Sequence, residues 1–117
     1  MSFDWKDYIR LAENLITHNS EAYLRSGISR AYYGVFCITR NKAGFKNYKQ
    51  PDVHREVINY YKDSKDQKKQ KIGNILDQIR RFRNIADYDE DKPINSKLAQ
   101  KVLIKSKDIL KILGILS

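Results

Sequence analysis

The chain has 117 residues, 41% of them hydrophobic, enough for one core and not for two, so a single domain over 1–117 is expected. Lys and Arg number 23 against 14 Asp and Glu, a net charge of +9, which excludes an acid-rich tail or a neutral secreted scaffold and suits an anionic partner: RNA, DNA, a nucleotide or an acidic protein. The lone Cys37 excludes an internal disulfide and a Cys-based zinc site, and five Gly with two Pro argue for helices over a turn-rich all-β fold.

In chain order, Asp4 to Thr17 reads as a helix, with Trp5, Tyr8, Leu11, Ala12 and Leu15 on one side. Its charges are unlike the apolar run of a signal peptide, and no later stretch approaches a membrane span; a cytoplasmic, reducing setting without membrane contact is expected. His18-Asn19-Ser20 is a break, and Ser20 with Glu21 can cap the next helix. That helix runs from about Ser20 to about Asn41 on the stripe Leu24, Ile28, Ala31, Tyr32, Val35 and Thr39. Gly27, Ala31 and Gly34 form a smooth edge that lets another backbone come close, and glycine within a helix, at about 1 kcal/mol against alanine, calls for such a packing reason. Phe45 to Gln50 is a loop. Pro51 opens a short helix with Val53, Val57, Tyr60 and Tyr61, and the lysine-rich Lys62 to Gln70 is an exposed connection. A helix from about Lys71 to Ala86 carries Ile72, Ile75, Leu76, Ile79, Phe82 and Ala86, and the acidic turn from Asp87 to Pro93 ends it. The last helix starts near Asn95 or Ser96 with Leu98, Val102, Ile109, Ile112 and Leu113. The expected fold is all-α, an up-and-down bundle of four to five helices.

One charge lies inside an apolar stripe. Arg83 falls about 40° from Ile79 on the fourth helical wheel, and Asp87 follows one turn later on the border. An unpaired guanidinium among core positions is costly. Either Arg83 pairs with Asp87 at i,i+4 or snorkels outward, or the face there is a cleft or subunit interface that presents it to an anion. On the second helix, Arg25, Ser29, Tyr33, Phe36 and Arg40 share a flank beside the core stripe. Taken alone, Tyr32 and Tyr33 read as half-buried residues with surface hydroxyls; as a group, the flank could equally form an interface.

Ser29-Arg30-Ala31-Tyr32-Tyr33-Gly34-Val35-Phe36, followed by Arg83-Asn84-Ile85-Ala86-Asp87-Tyr88-Asp89, resembles the HEPN superfamily, in particular the small stand-alone members found with minimal nucleotidyltransferases. The resemblance spans essentially the whole chain. It implies a HEPN-like bundle and a homodimer in which the arginine motifs of two subunits face one another across a cleft. Many members are metal-independent endoribonucleases, acting as toxins or in defence; others bind nucleotides or serve as partners and scaffolds. The family motif is Arg, a polar residue, a spacer and His. Arg83 and Asn84 match its start, but the His position is Tyr88. Histidine titrates near neutral pH and moves protons readily, whereas tyrosine, with an ordinary pKa near ~10, is a poor base unless perturbed. In some relatives a tyrosine two positions after the His receives AMP from the partner enzyme; here that position is Glu90, so that feature does not transfer.

The resemblance implies an RNA-directed component of a toxin–antitoxin or defence module, of endoribonuclease or toxin type. Arg83 would stabilise the reacting phosphate, Asn84 would position it, and Asp87 or Tyr88 would handle the proton. The alternative is a non-catalytic partner or scaffold that docks a nucleotidyltransferase antitoxin. Gly27, Ser29, Ala31 and Tyr33 are the expected interface residues. Arg30, Arg80, Lys97, Lys101 and Lys105 are expected to meet nucleic acid, the three lysines recurring every four residues without Glu partners. The segment Lys46 to Lys71 adds eight basic residues against four acidic ones. His18 and His54 read as solvent-facing and Cys37 as an inert thiol pointing away from the stripe. No metal site and no cofactor are expected, since convergent ligands and a Gly-rich phosphate loop are lacking.

Overall fold

A computed structural model describes residues 2–116. Among them are five helices and no strand: α1 (Lys6–Leu15), α2 (Glu21–Lys42), α3 (Val53–Lys62), α4 (Gln67–Tyr88) and α5 (Ser96–Ile112). None is long and apolar enough to cross a membrane.

Helix α2 is the spine, buried along most of its circumference because α1, α4 and α5 all pack against it. Small residues decide where α1 lies. A Cβ added to Gly27 would come within 2.5 Å of the Ile16 side chain, and one on Gly34 within 3.1 Å of the Trp5 carbonyl oxygen. The smooth edge of Gly27, Ala31 and Gly34 therefore admits α1 of the same chain. This corrects the expectation that Gly27 and Ala31 meet a second subunit: both are buried inside the bundle. Cys37 is a second correction, since α2 is covered on several sides and the thiol is buried. Burial pushes its pKa up.

The core lies between α2, α3, α4 and α5. Ile28, Tyr32 and Val35 meet Val57 and Tyr61 from α3, Ile72, Leu76 and Ile79 from α4, and Val102, Ile109 and Leu110 from α5. Each large apolar side chain taken out of water contributes about 1.5–3 kcal/mol. The Tyr61 hydroxyl satisfies itself inside by donating to the Thr39 carbonyl at 2.7 Å, tying α3 to α2. Burial pushes its pKa up to about 12.

Caps set the boundaries. Asp66 accepts from the Lys68 amide at 2.8 Å and starts α4 at Gln67, so much of the expected connection from Lys62 to Gln70 is helix. Asn95 accepts from the Leu98 amide at 2.9 Å and starts α5. Ser20 occupies the N-cap position of α2 in extended backbone, but its side chain makes no capping bond.

Candidate anion-binding site around Arg83

Helices α2 and α4 run antiparallel, and the polar flank of α2 meets the end of α4 one turn at a time. Arg25 donates to the carbonyls of Ile85 at 3.0 Å and Ala86 at 3.1 Å, and to that of Lys92 at 2.6 Å. Ser29 donates to Asp87 at 3.2 Å. Arg83 donates to the Tyr33 hydroxyl at 2.9 Å and pairs with Asp87 at 3.5 Å. Residues 25, 29 and 33 recur every four positions, as do 83 and 87, which is why two straight helices can keep all these contacts. The expected Arg83–Asp87 pair is present. Arg83 is only 6% exposed, its guanidinium carbon 5.0 Å from the Tyr33 ring centroid and 5.3 Å from that of Tyr32.

Arg25 was expected only as part of the flank, yet it closes the end of α4. The last carbonyls of a helix lack intrahelical donors, and a guanidinium there supplies them with charge-assisted bonds. Arg25→Met should therefore loosen the turn from Asp89 to Pro93 and lower stability by about 1–3 kcal/mol. Amide hydrogen exchange, faster in 85–93 and unchanged in α1, would show it.

The other motif residues diverge. Asn84 is exposed, about 100° round the helix from Arg83. Tyr88 is 76% exposed, its ring centroid 6.0 Å from the Arg83 guanidinium carbon. It borders a cavity of about 250 Å³ shared with Glu21, Asp87, Asp89 and Glu90, so its surroundings are rich in carboxylates. Arg83, Asp87 and Tyr88 thus lie together, and Asn84 lies apart from them.

His54 of α3 lies against the same two tyrosines, its ring centroid 5.6 Å from that of Tyr32 and 5.8 Å from that of Tyr33. Its Nδ1 is 2.7 Å from the Tyr32 hydroxyl, and its ring stacks on Phe36 with centroids 4.1 Å apart. Two expectations are corrected here. Tyr32 is 0% exposed, so its hydroxyl is internal, and His54 is half-buried against α2 rather than solvent-facing. The signal was in the spacing: His54, Val57, Ile58 and Tyr61 follow i, i+3, i+4, i+7, the inner face of α3. The polarity of His masked it.

Burial, then the guanidinium groups of Arg80, Arg83 and Arg40, push the His54 pKa down to about 4. Burial raises that of Tyr32. The Tyr32 hydroxyl is buried and has no other hydrogen-bond acceptor among the described residues, so we assign it as the donor to Nδ1, which places the imidazole hydrogen on Nε2. The pH dependence follows. Unfolded His54 takes up a proton as pH falls through its ordinary value near 6.5, while the folded form waits until about 4, so stability is lost across that window. With solvent screening at the half-buried ring discounted, the loss is about 1–2 kcal/mol. Chemical denaturation at several pH values should show it in the parent protein and not in His54→Phe.

The remaining basic residues fall on separate faces. Arg80 is half-buried on the His54 side, whereas Arg30 is exposed, its guanidinium carbon 5.0 Å from the Tyr8 ring centroid on α1. Lys101 and Lys105 border a groove of about 430 Å³ between α4 and α5, with Arg81, Phe82 and Ile85; Lys97 continues the row. Ser29 and Tyr33 remain half-buried. Among the described residues no cluster of His, Cys, Asp and Glu is arranged to hold a metal ion. Comparison with protein-family models, curated proteins and solved structures found no match.

Proposed function

We propose that this chain is a HEPN-type protein that binds RNA, and that Arg83 contacts a phosphate of the bound strand. The observation carrying this reading is electrostatic. Arg83 of α4 lies against Tyr32 and Tyr33 of α2, Arg80 and Arg40 are near enough to act on the His54 imidazole of α3, and Asp87 is the one carboxylate paired with any of the three among the described residues. A charge surplus held partly out of water is strongly attractive to an oxyanion. The all-helical bundle and the lysine row of α5, in which Lys97 and Lys101 are exposed and Lys105 half-buried, agree with it.

For cleavage, the ribose 2′-oxygen would attack the adjacent phosphorus as its proton passes to the Asp87 carboxylate, Arg83 would stabilise the charge that builds there, and the 5′-oxygen would leave with the P–O bond broken, taking a proton from the Tyr88 hydroxyl, which Asp87 then restores. The products would be a 2′,3′-cyclic phosphate and a 5′-hydroxyl, with no co-reactant. In this reading the protein is a toxin-type component of a two-part module and acts as a homodimer. The position of Asn84 and the carboxylates round Tyr88 favour a second reading, a non-catalytic scaffold. There the exposed Tyr88 and its acidic turn would dock a nucleotidyltransferase through a basic surface.

Salt dependence tests the RNA reading. Binding of a fluorescent single-stranded RNA, followed by anisotropy, should weaken linearly on a log–log plot against salt. Lys101→Gln with Lys105→Gln should flatten the slope by about 1.4, two single-strand phosphate contacts. A protein that binds no RNA at low salt would leave the lysines as a solvated face and overturn the reading.

A further inference from the structure

The His54 side of the cluster takes no part in the reaction outlined above, yet it has the features of a built site. The Nε–H groups of Arg80 and Arg83 are buried without a hydrogen-bond acceptor. Arg83 itself is only 6% exposed. Burying such a donor unpaired is costly, more so when the group is charged. The His54 imidazole shares the Tyr32 and Tyr33 rings with the Arg83 guanidinium, its orientation is held by the stack on Phe36, and with Nδ1 engaged by the Tyr32 hydroxyl the nitrogen left to donate is Nε2. Tyr33 takes one N–H of Arg83 and fixes the guanidinium plane. Two guanidinium groups and one neutral N–H suit a tetrahedral oxyanion, which accepts several bonds from different directions.

We propose that His54, Arg80 and Arg83 form a binding site for a phosphoryl oxyanion, with Tyr32 as the positioning residue that makes His54 a donor to it. The inference rests on the reading that the Arg83 side of the bundle meets phosphate, and it adds α3 to that surface. It also makes binding proton-linked. The groups facing His54 are Tyr32, Tyr33 and Arg40 from α2, and Arg80 and Arg83 from α4, with Asp87 behind Arg83; Asp52, Arg55 and Glu56 lie beside it along the chain. The cations among them disfavour the imidazolium. An anion seated on Arg80 and Arg83 offsets that repulsion, so His54 holds a proton to higher pH when the site is filled. By linkage, the anion then binds more tightly as pH falls towards the midpoint of the free protein.

The experiment is an NMR titration of the His54 ring, with His18 as the internal control. Sulfate is the first probe, because it does not titrate in this range; chloride at matched ionic strength is the blank. Sulfate should raise the His54 midpoint by one unit or more and leave His18 in place. Equal behaviour in sulfate and chloride overturns the site. His54→Phe keeps the stack on Phe36 and removes both nitrogens, and sulfate affinity, read as thermal stabilisation, should drop about tenfold. Tyr32→Phe should weaken it a few-fold while His54 still titrates. Unchanged affinity in both variants overturns the proposal. Should His54→Phe not fold, the titration of the parent protein decides alone.

Further arms separate the sources of the anion. Inorganic phosphate, a dinucleoside monophosphate and a single-stranded RNA are each added at fixed pH. A shift of His54 with inorganic anions, joined to an absence of RNA binding, supports the site and overturns the RNA reading. RNA binding that leaves His54 unmoved supports the RNA reading and overturns this site.

Discussion

Arg83→Met should leave the fold standing and remove RNA binding. Methionine has similar reach and no desolvation cost, and the penalty for removing one partner of a buried ion pair falls away where the partner left behind can reach water. The partners left behind can cope. Asp87 keeps the Ser29 hydroxyl and has 22% of its side chain in solvent, and Tyr33 is half-buried. The melting temperature should move by no more than a few degrees. RNA affinity should fall roughly 10²-fold, the loss expected for one or two charge-assisted bonds to a phosphate. Any cleavage activity should vanish with it. If stability instead collapses by the 3–5 kcal/mol typical of a broken buried pair, or if RNA affinity is unchanged, Arg83 is a structural residue.

Gly73→Ala should be the most damaging small substitution for stability. On helix propensity alone, alanine would gain about 1 kcal/mol. Its Cβ, however, would stand 2.6 Å from the Lys62 backbone nitrogen and 3.0 Å from the Lys62 Cα. Backbone cannot swing aside as a side chain does, so α3 and α4 must part where they now touch. Overpacking of this kind costs typically 1–3 kcal/mol, and against backbone the upper end applies, so after the propensity gain the net loss is up to about 2 kcal/mol. Urea denaturation measures it, and a variant as stable as the parent would show that the link between α3 and α4 gives way without strain. The displacement should also reach His54, eight residues along α3, and disturb its ring resonances.

The helices were legible in the sequence because their apolar residues recur with a helical period; Ile72, Leu76 and Ile79 alone define the inner face of α4. The first turn of α4 was not legible, since Gln67 to Gln70 carry no apolar residue, and a cap at Asp66 rather than burial holds that turn. The Arg83–Asp87 pair could be read because it lies within one helix. The partners that surround it could not. Tyr33, Ser29 and His54 come from other helices, and periodicity reports which way a residue faces, not what it meets. The smooth edge of α2 shows the same gap: Gly27, Ala31 and Gly34 announced a close neighbour, and only the packing revealed it as α1.

The position of α2 also shapes how the chain reaches this structure. Its partner α1 is joined to it by the short segment 16–20, and α3 is joined to α4 by 63–66, so two helical hairpins can close at small entropic cost. Neighbours in sequence are then neighbours in space, the arrangement that gives helical bundles their fast folding. What remains is the docking of one hairpin on the other along α2, with α5 completing the seam. That docking is the step that assembles the polar cluster. Tyr33 and Arg83 are 50 positions apart, and Arg25 and Lys92 are 67 apart. The polar cluster therefore cannot form within either hairpin alone, and its charges meet only where the two hairpins meet.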